Sequence, residues 1–179
     1  MNYATIKKTD VANGPGVRVS LFVSGCTHHC PGCFNAETWD FHYGKPFTDE
    51  VCEEILEALK PDFIRGFSLL GGEPFEDANR PALIPLLQQI KEKYPQKEVW
   101  CYSGYTFEEM LNWIQVCQKE KGKENVLPML ELIDVLVDGE FIAAQKNLRL
   151  AFRGSENQRV LDVAKSLKSR EAVWVPRYQ

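Results

Sequence analysis

The alternation of strand-like and helix-like segments is the feature that most limits what this chain can fold into. Short apolar or β-branched runs favour strands, and each is followed by a segment whose apolar residues recur at helical spacing. Four strands are predicted, over residues 17–23, 66–70, 99–102 and 134–137. Helices are predicted from the cap at Thr48 to Leu59, and over residues 81–94, 106–118, 126–132 and 156–167.

This alternation limits the topology as well as the elements. Strands joined through helices form right-handed βαβ units and a mainly parallel sheet. A closed eightfold barrel needs about 250 residues, whereas this chain has 179. We therefore predict an α/β fold in one domain, residues 1–179, with a mainly parallel open sheet that resembles an incomplete (β/α) barrel.

Charge and hydropathy exclude several classes of partner. The chain has 21 Lys and Arg against 25 Asp and Glu, a net charge of −4, and no basic run of the kind that binds nucleic acid or anionic membranes. It contains no apolar stretch of about 20 residues, and its first residues lack the apolar centre of a signal peptide. We expect a cytoplasmic protein that binds neither nucleic acid nor membrane.

The six cysteines fall into two groups. Cys26, Cys30 and Cys33 lie within eight residues, directly after the first predicted strand. The others lie in apolar patterns, where a thiol usually acts as a small buried hydrophobe; they are Cys52, Cys101 and Cys117. Thiolates bind zinc and iron–sulfur clusters. Three on one loop would leave one iron of a four-iron cluster without a protein ligand, open to a small molecule.

Other ligand sets remain open on spacing alone. A zinc site could be completed by His28, His29 or a distant cysteine, and an electron carrier would use a fourth cysteine. The residues do not decide whether His28 is functional or merely a polar loop residue. Ser103 is either a turn residue or a cofactor contact, and Arg153 either meets a partner or caps a helix.

A glycine-rich motif follows the second predicted strand, reading Gly71-Gly72-Glu73-Pro74. Ligands bind beyond the carboxyl ends of strands in open α/β sheets, so this motif, the cysteine loop and Ser103-Gly104 are predicted to converge. Without Cβ atoms, glycines let backbone groups approach a ligand closely. The Glu73 carboxylate could complement an ammonium group.

Together, the cysteine spacing and the GGEP motif resemble the radical S-adenosylmethionine superfamily. The resemblance implies that Cys26, Cys30 and Cys33 hold a 4Fe–4S cluster. It also implies that S-adenosylmethionine chelates the fourth iron through its amino and carboxylate groups.

A narrower resemblance extends over almost the whole chain. It rests on Asn13-Gly14-Pro15-Gly16, the string 26–35, Tyr102-Ser103-Gly104-Tyr105, and the strings 135–139 and 152–155. These are similar to the family of activating proteins of anaerobic (class III) ribonucleoside-triphosphate reductases. The family implies an S-adenosylmethionine site formed by Gly32, Cys33, Phe34, Gly71, Gly72 and Glu73, although some relatives are expected to have Asp at position 73.

This second resemblance also implies a reaction and its partners. S-adenosylmethionine would be cleaved reductively, and the resulting 5′-deoxyadenosyl radical would generate a glycyl radical on the large subunit of the reductase. Electrons would come from a flavodoxin-type donor. Two alternatives remain: an activase of another glycyl-radical enzyme of the formate-lyase type, and a zinc-stabilised binding module.

Overall fold

A seven-stranded sheet forms the centre of the computed structural model, which describes residues 1–116 and 122–179. In these residues the strand order is β3-β1-β2-β4-β5-β6-β7. The strands are β1 (Asn2–Asp10), β2 (Val17–Val23), β3 (Lys45–Pro46), β4 (Ile64–Gly71), β5 (Glu98–Tyr102), β6 (Val135–Asp138) and β7 (Arg159–Asp162).

Five α-helices occur in the same described residues. They are α1 (Asp49–Leu59), α2 (Arg80–Lys93), α3 (Phe107–Val116), α4 (Val126–Leu130) and α5 (Val163–Ser169). No helix in this part of the chain is long and apolar enough to cross a membrane. The predicted helix 106–118 is confirmed as far as Val116, and its last two residues lie outside the described residues.

The four central strands are parallel, and this positions the loops that follow them. Parallel pairing joins β2 to β4, β4 to β5 and β5 to β6. The register places Val23 beside Gly71 and Tyr102 beside Val137, so the carboxyl ends of these strands lie along one edge. The outer strands β1, β3 and β7 pair antiparallel and leave the sheet open. The predicted open α/β sheet is confirmed.

One part of the secondary-structure prediction was wrong. Residues 156–167 were expected to form a single helix, but the structure has β7 followed by α5. Apolar residues at 160, 161, 163 and 167 satisfy helical spacing, yet Leu161 pairs with Leu136 of β6. Pairing to a neighbouring strand outweighs the local pattern here.

The two faces of the sheet are packed differently. On one face, strand residues such as Leu21 and Leu69 pack against helical residues such as Ile55 and Leu83 in the main core. Because side chains alternate along a strand, Trp100 lies on the other face. There it forms a smaller core with Val137 and Val160, flanked by Phe152 and Tyr178.

A fully buried arginine holds the loop that precedes β2. Arg18 Nε donates to Ser68 Oγ at 2.7 Å, and Arg18 Nη2 donates to the carbonyls of Phe67 and Glu98, each at 2.8 Å. Burial lowers the pKa of Arg18 to about 10, but these acceptors satisfy its charge in place of water. Ser68 Oγ donates in turn to the carbonyl of Asn13 at 2.5 Å. The network thereby fixes Asn13 in the loop between β1 and β2.

Candidate functional site

The loops after β2, β4, β5 and β6 surround one cavity of about 650 Å³. Its lining includes almost all of the predicted site residues: Cys26, Cys30, Cys33, Phe34, Gly71, Gly72 and Glu73. Gly32 is the exception. It is exposed, with a φ of +76°, and a Cβ built on it would meet the Phe141 ring at 3.7 Å. Gly32 therefore shapes the loop instead of forming the cavity wall.

The cysteine loop is held in shape by its own backbone. Gly25 has a φ of +94°, and a Cβ there would lie 2.3 Å from the Phe41 ring, so glycine is required. The Gly25 N–H donates to the Thr38 carbonyl at 2.8 Å, and the Cys33 N–H donates to the Cys30 carbonyl at 3.1 Å. These bonds turn the chain back on itself, so that all three thiols reach the same cavity.

Burial favours the protonated form of two thiols of this loop, those of Cys26 and Cys30. It raises the pKa of Cys26 to about 12 and also raises the pKa of Cys30. An iron cation reverses this preference because the thiolate is the ligand. The Asn35 N–H already donates to Cys33 Sγ at 3.4 Å, a contact that stabilises negative charge on sulfur.

The donor set suits a cluster better than a single ion. Across residues 1–116 and 122–179, no three His, Cys, Asp or Glu side chains are close enough together to hold one metal ion. Zinc in a closed site needs four ligands around one atom, whereas a cluster spreads its ligands over several irons. Cys101 is fully buried on β5 and Cys52 half-buried on α1. Cys117 lies outside the described residues.

The GGEP loop is joined to the cysteine loop by backbone hydrogen bonds. The Gly72 N–H donates to the Val23 carbonyl and the Glu73 N–H to the Gly25 carbonyl, both at 2.8 Å. A Cβ on Gly72 would lie 2.6 Å from that same Gly25 oxygen. The sequence suggested that glycine leaves room for a ligand here. The geometry gives a different reason, because a Cβ on Gly72 would point at the backbone of the cysteine loop.

Glu73 is buried and accepts hydrogen bonds from residues that follow β4 and β5. Its Oε1 accepts from the Phe75 N–H at 2.7 Å and from Ser103 Oγ at 2.9 Å, and its Oε2 accepts from the Gly104 N–H at 2.7 Å. Only 1% of the residue is exposed. Its carboxylate is thus oriented by the protein itself, beside the cavity that the thiols line.

Comparison with known proteins points to the same chemistry. Residues 12–161 match a family described as a 4Fe-4S single cluster domain. The chain is 42% identical over 160 residues to the anaerobic ribonucleoside-triphosphate reductase-activating protein of Vibrio cholerae, covering 88% of this chain and 96% of that protein. The identity is 41% to the protein of that name from Escherichia coli, over the same shares of both chains. It is 39% to the one from Pasteurella multocida, over 88% of this chain and 95% of the relative.

The chain belongs to this activating-protein family. Its match to the 4Fe-4S family covers the cysteine loop, the GGEP loop and all four parallel strands. The predicted family is therefore confirmed, and an iron–sulfur cluster is the cofactor supported by the match.

His28 is not a free loop residue in this family member. Its Nδ1 lies 2.6 Å from Glu140 Oε1 and its Nε2 lies 3.3 Å from Glu73 Oε2, while its ring packs on Tyr105. Burial alone would lower the pKa of His28, but the two carboxylates outweigh it and raise the pKa to about 9. His28 therefore links the cysteine loop to the loop after β6.

The other two undecided residues also have defined contacts. Ser103 donates to Glu73, so it belongs to the site and is not only a turn residue. Arg153 caps no helix: its guanidinium carbon lies 4.9 Å from the Trp174 ring centroid, and its Nη1 donates to the Gln158 carbonyl at 2.7 Å. Arg153 also lines the cavity.

Two parts of the site were missed from the sequence. Glu76 accepts from both the N–H and the hydroxyl of Thr27, at 2.8 and 2.6 Å, and so anchors the cysteine loop. Residues 139–158 contribute a large part of the cavity wall, including Phe141, Leu148 and Phe152. No local pattern signals Glu76, whereas the unusual length of the segment after β6 was a usable signal.

Proposed function

We propose that this protein activates an anaerobic ribonucleoside-triphosphate reductase as a radical S-adenosylmethionine enzyme that generates a glycyl radical on the large subunit. The observation that carries the proposal is that three cysteines of one loop and the GGEP loop line the same cavity. The relatives named above are called activating proteins of this reductase, and they match nearly their full lengths. Together these observations support the proposed activity.

The residues present fit the two cofactors. Cys26, Cys30 and Cys33 would hold a 4Fe–4S cluster and leave one iron for S-adenosylmethionine, which the rest of the cavity would accommodate next to Gly72 and Glu73. When bound, these cofactors would supply the chemistry of reductive cleavage and of hydrogen-atom abstraction from a glycine Cα of the partner.

In this proposal the residues of the chain bind and orient the two cofactors. The buried Glu73 carboxylate adds a fixed negative charge at the cavity, which favours the ammonium group of S-adenosylmethionine. Leu70, Leu150 and Phe152 give the cavity apolar walls that limit access of water. Hydrogen-atom transfer needs no general base.

The proposed partners are the large subunit of the reductase and a flavodoxin-type electron donor. The test combines the reconstituted protein, a chemical reductant, S-adenosylmethionine and the large subunit without oxygen, and records electron paramagnetic resonance. We expect a glycyl doublet only in the complete mixture, with 5′-deoxyadenosine formed alongside it. Activation of only a formate-lyase-type enzyme would change the partner, and zinc without iron in the purified protein would support a binding module instead.

A further inference from the structure

The connection between β6 and β7 is much longer than the sheet requires. These strands are antiparallel neighbours, and Asp138 lies opposite Arg159 at their adjoining ends. Such a pair can be joined by about two residues, yet residues 139–158 intervene. This segment, which we call the rim loop, passes over the mouth of the cavity and lines it with Phe141, Lys146 and Leu148. Long loops in compact proteins are usually functional.

Exposed apolar side chains are concentrated around this mouth. Among the described residues, the exposed large hydrophobic side chains are Val11, Phe34, Tyr43, Phe63, Ile142 and Leu148. Leu148 is 86% exposed and Phe34 is 75% exposed, and both line the cavity. Val11 and Ile142 adjoin lining residues in sequence. A cluster of exposed apolar side chains at one opening indicates an interaction site, whereas single exposed apolar side chains are common on any protein surface.

The mouth is also positive on an otherwise acidic protein. Within the rim loop, residues 141–155 contain three cations, Lys146, Arg149 and Arg153, and no Asp or Glu; Glu140 and Glu156 flank this stretch, so the whole loop has a formal charge of +1. The cysteine loop, residues 24–35, has no acidic residue either, although the net charge of the chain is −4. A segregated positive rim attracts a partner surface with acidic groups.

The rim loop is ordered before any partner arrives. Lys146 forms a β-bridge with Ser155, and the Asn147 N–H donates to the Gly154 carbonyl at 3.2 Å. The Lys146 ammonium lies 5.0 Å from the ring centroid of Phe34 on the cysteine loop. The apolar and positive groups are thus presented on a fixed surface, which lowers the entropic cost of binding.

We propose that the rim loop is the docking surface for the glycine-bearing segment of the protein substrate. Leu148 is its apolar anchor, and Lys146 and Arg149 attract acidic groups that flank the segment. The inference rests on the proposed function and adds the partner's binding surface to it. A protein segment is the occupant because Leu148 is 86% exposed although it lines the cavity, and a small molecule enclosed in the cavity would leave most of this side chain in water.

The test compares Leu148→Asp with Phe63→Asp, a matched change at another exposed apolar residue, 65% exposed and next to the opposite end of β4. Each variant is reduced chemically, and three quantities are measured: iron content, formation of 5′-deoxyadenosine without the reductase, and glycyl radical as a function of reductase concentration. We expect Leu148→Asp to require about tenfold more reductase for half-maximal radical and Phe63→Asp to match the wild type. A loss by Leu148→Asp confined to iron content or to 5′-deoxyadenosine formation would overturn the inference, because its effect would then lie in the cavity wall.

The charges are tested with Arg149→Glu. The apparent affinity of this variant for the reductase should fall. That affinity should also depend less on salt concentration, because the variant lacks the electrostatic attraction that salt screens. Radical formation by Leu148→Asp equal to wild type would overturn the inference. So would an effect seen only when a flavodoxin-type protein replaces the chemical reductant, since the rim would then bind the donor. Failure of the wild type itself to form a radical would instead count against the proposed function.

Discussion

Cys26 illustrates how burial and ligand chemistry oppose one another at the site. The residue is 8% exposed, and burial raises its pKa to about 12, which favours the neutral thiol. Only a strongly bound cation makes the thiolate the favoured form there. Burial also raises the pKa of Cys101 well above its usual range, but Cys101 lies on strand β5 and not on a loop with other thiols. This difference in surroundings distinguishes a ligand from a core residue.

The thiol assignment predicts a sharp division among variants. Cys26→Ala, Cys30→Ala or Cys33→Ala should each lose the cluster, because each variant removes one of the three protein ligands of the proposed site. Cys52→Ala and Cys101→Ala should retain it. Iron and sulfide content after anaerobic reconstitution measures this directly, and full iron content in Cys30→Ala would disprove its role.

Gly72 carries a second residue-level prediction. Gly72→Ala puts a Cβ 2.6 Å from the Gly25 oxygen and 2.9 Å from the Thr38 oxygen, so the two loops must separate. We expect a loss of about 1–3 kcal/mol of stability together with weaker iron retention. Gly154→Ala is the control, because the atoms nearest to its Cβ would belong to side chains and not to the backbone: the Phe141 ring at 3.1 Å and Gln158 Oε1 at 3.5 Å. If Gly72→Ala kept its iron and lost only affinity for S-adenosylmethionine, the glycine would serve the ligand and not the loop contact.

At the scale of elements, helix α3 begins with a capping box. The Thr106 N–H donates to Glu109 Oε2 at 2.7 Å, and the Glu109 N–H donates to Thr106 Oγ1 at 3.3 Å. Thr106→Ala should therefore cost about 1 kcal/mol of unfolding free energy in urea titrations. Thr48, the N-cap of α1, makes no such side-chain bond, so Thr48→Ala should cost less. Equal losses in the two variants would show that the box contributes nothing.

The central elements were predictable because their local patterns and their packing agree. Strands β2, β4, β5 and β6 have apolar runs bounded by turn residues, and each is paired on both sides in the sheet. The edges were not predictable in this way. Strand β1 is largely exposed and mixes lysines with apolar residues, and β7 depends on its partner β6.

The candidate site was predictable in its ligands but not in its connections. Short strings such as the cysteine spacing identify thiols and glycines because their chemistry is local. The contacts of Glu73 with Ser103 and Gly104, and of Thr27 with Glu76, join residues far apart in sequence. Only the parallel register of the strands brings them together.

At the scale of the whole molecule, the C-terminal segment supports the wall of the cavity. Tyr178 packs edge-on against Trp100 and Phe152, with ring centroids 5.7 and 5.5 Å apart. Phe152 lines the cavity, so the last residues of the chain reach the site through this aromatic cluster, although no motif marked them in the sequence.

Tyr178→Ala should therefore destabilise the protein and loosen the cavity together. We expect a loss of about 1–2 kcal/mol and weaker binding of S-adenosylmethionine to the reconstituted protein, measured by thermal unfolding and by equilibrium binding. Tyr178→Phe keeps the ring and should behave as the wild type. Unchanged cofactor affinity in a destabilised Tyr178→Ala variant would limit the segment to a role in stability.

Transfer of a labelled hydrogen tests the central claim most directly. The large reductase subunit is prepared with deuterium at the glycine Cα and mixed, without oxygen, with the reduced protein and S-adenosylmethionine. Because the proposed reaction moves that atom to the 5′ carbon, mass spectrometry should find 5′-deoxyadenosine carrying one deuterium, in step with the glycyl radical. Unlabelled 5′-deoxyadenosine accompanying a full glycyl radical signal would contradict direct abstraction and, with it, the proposed mechanism.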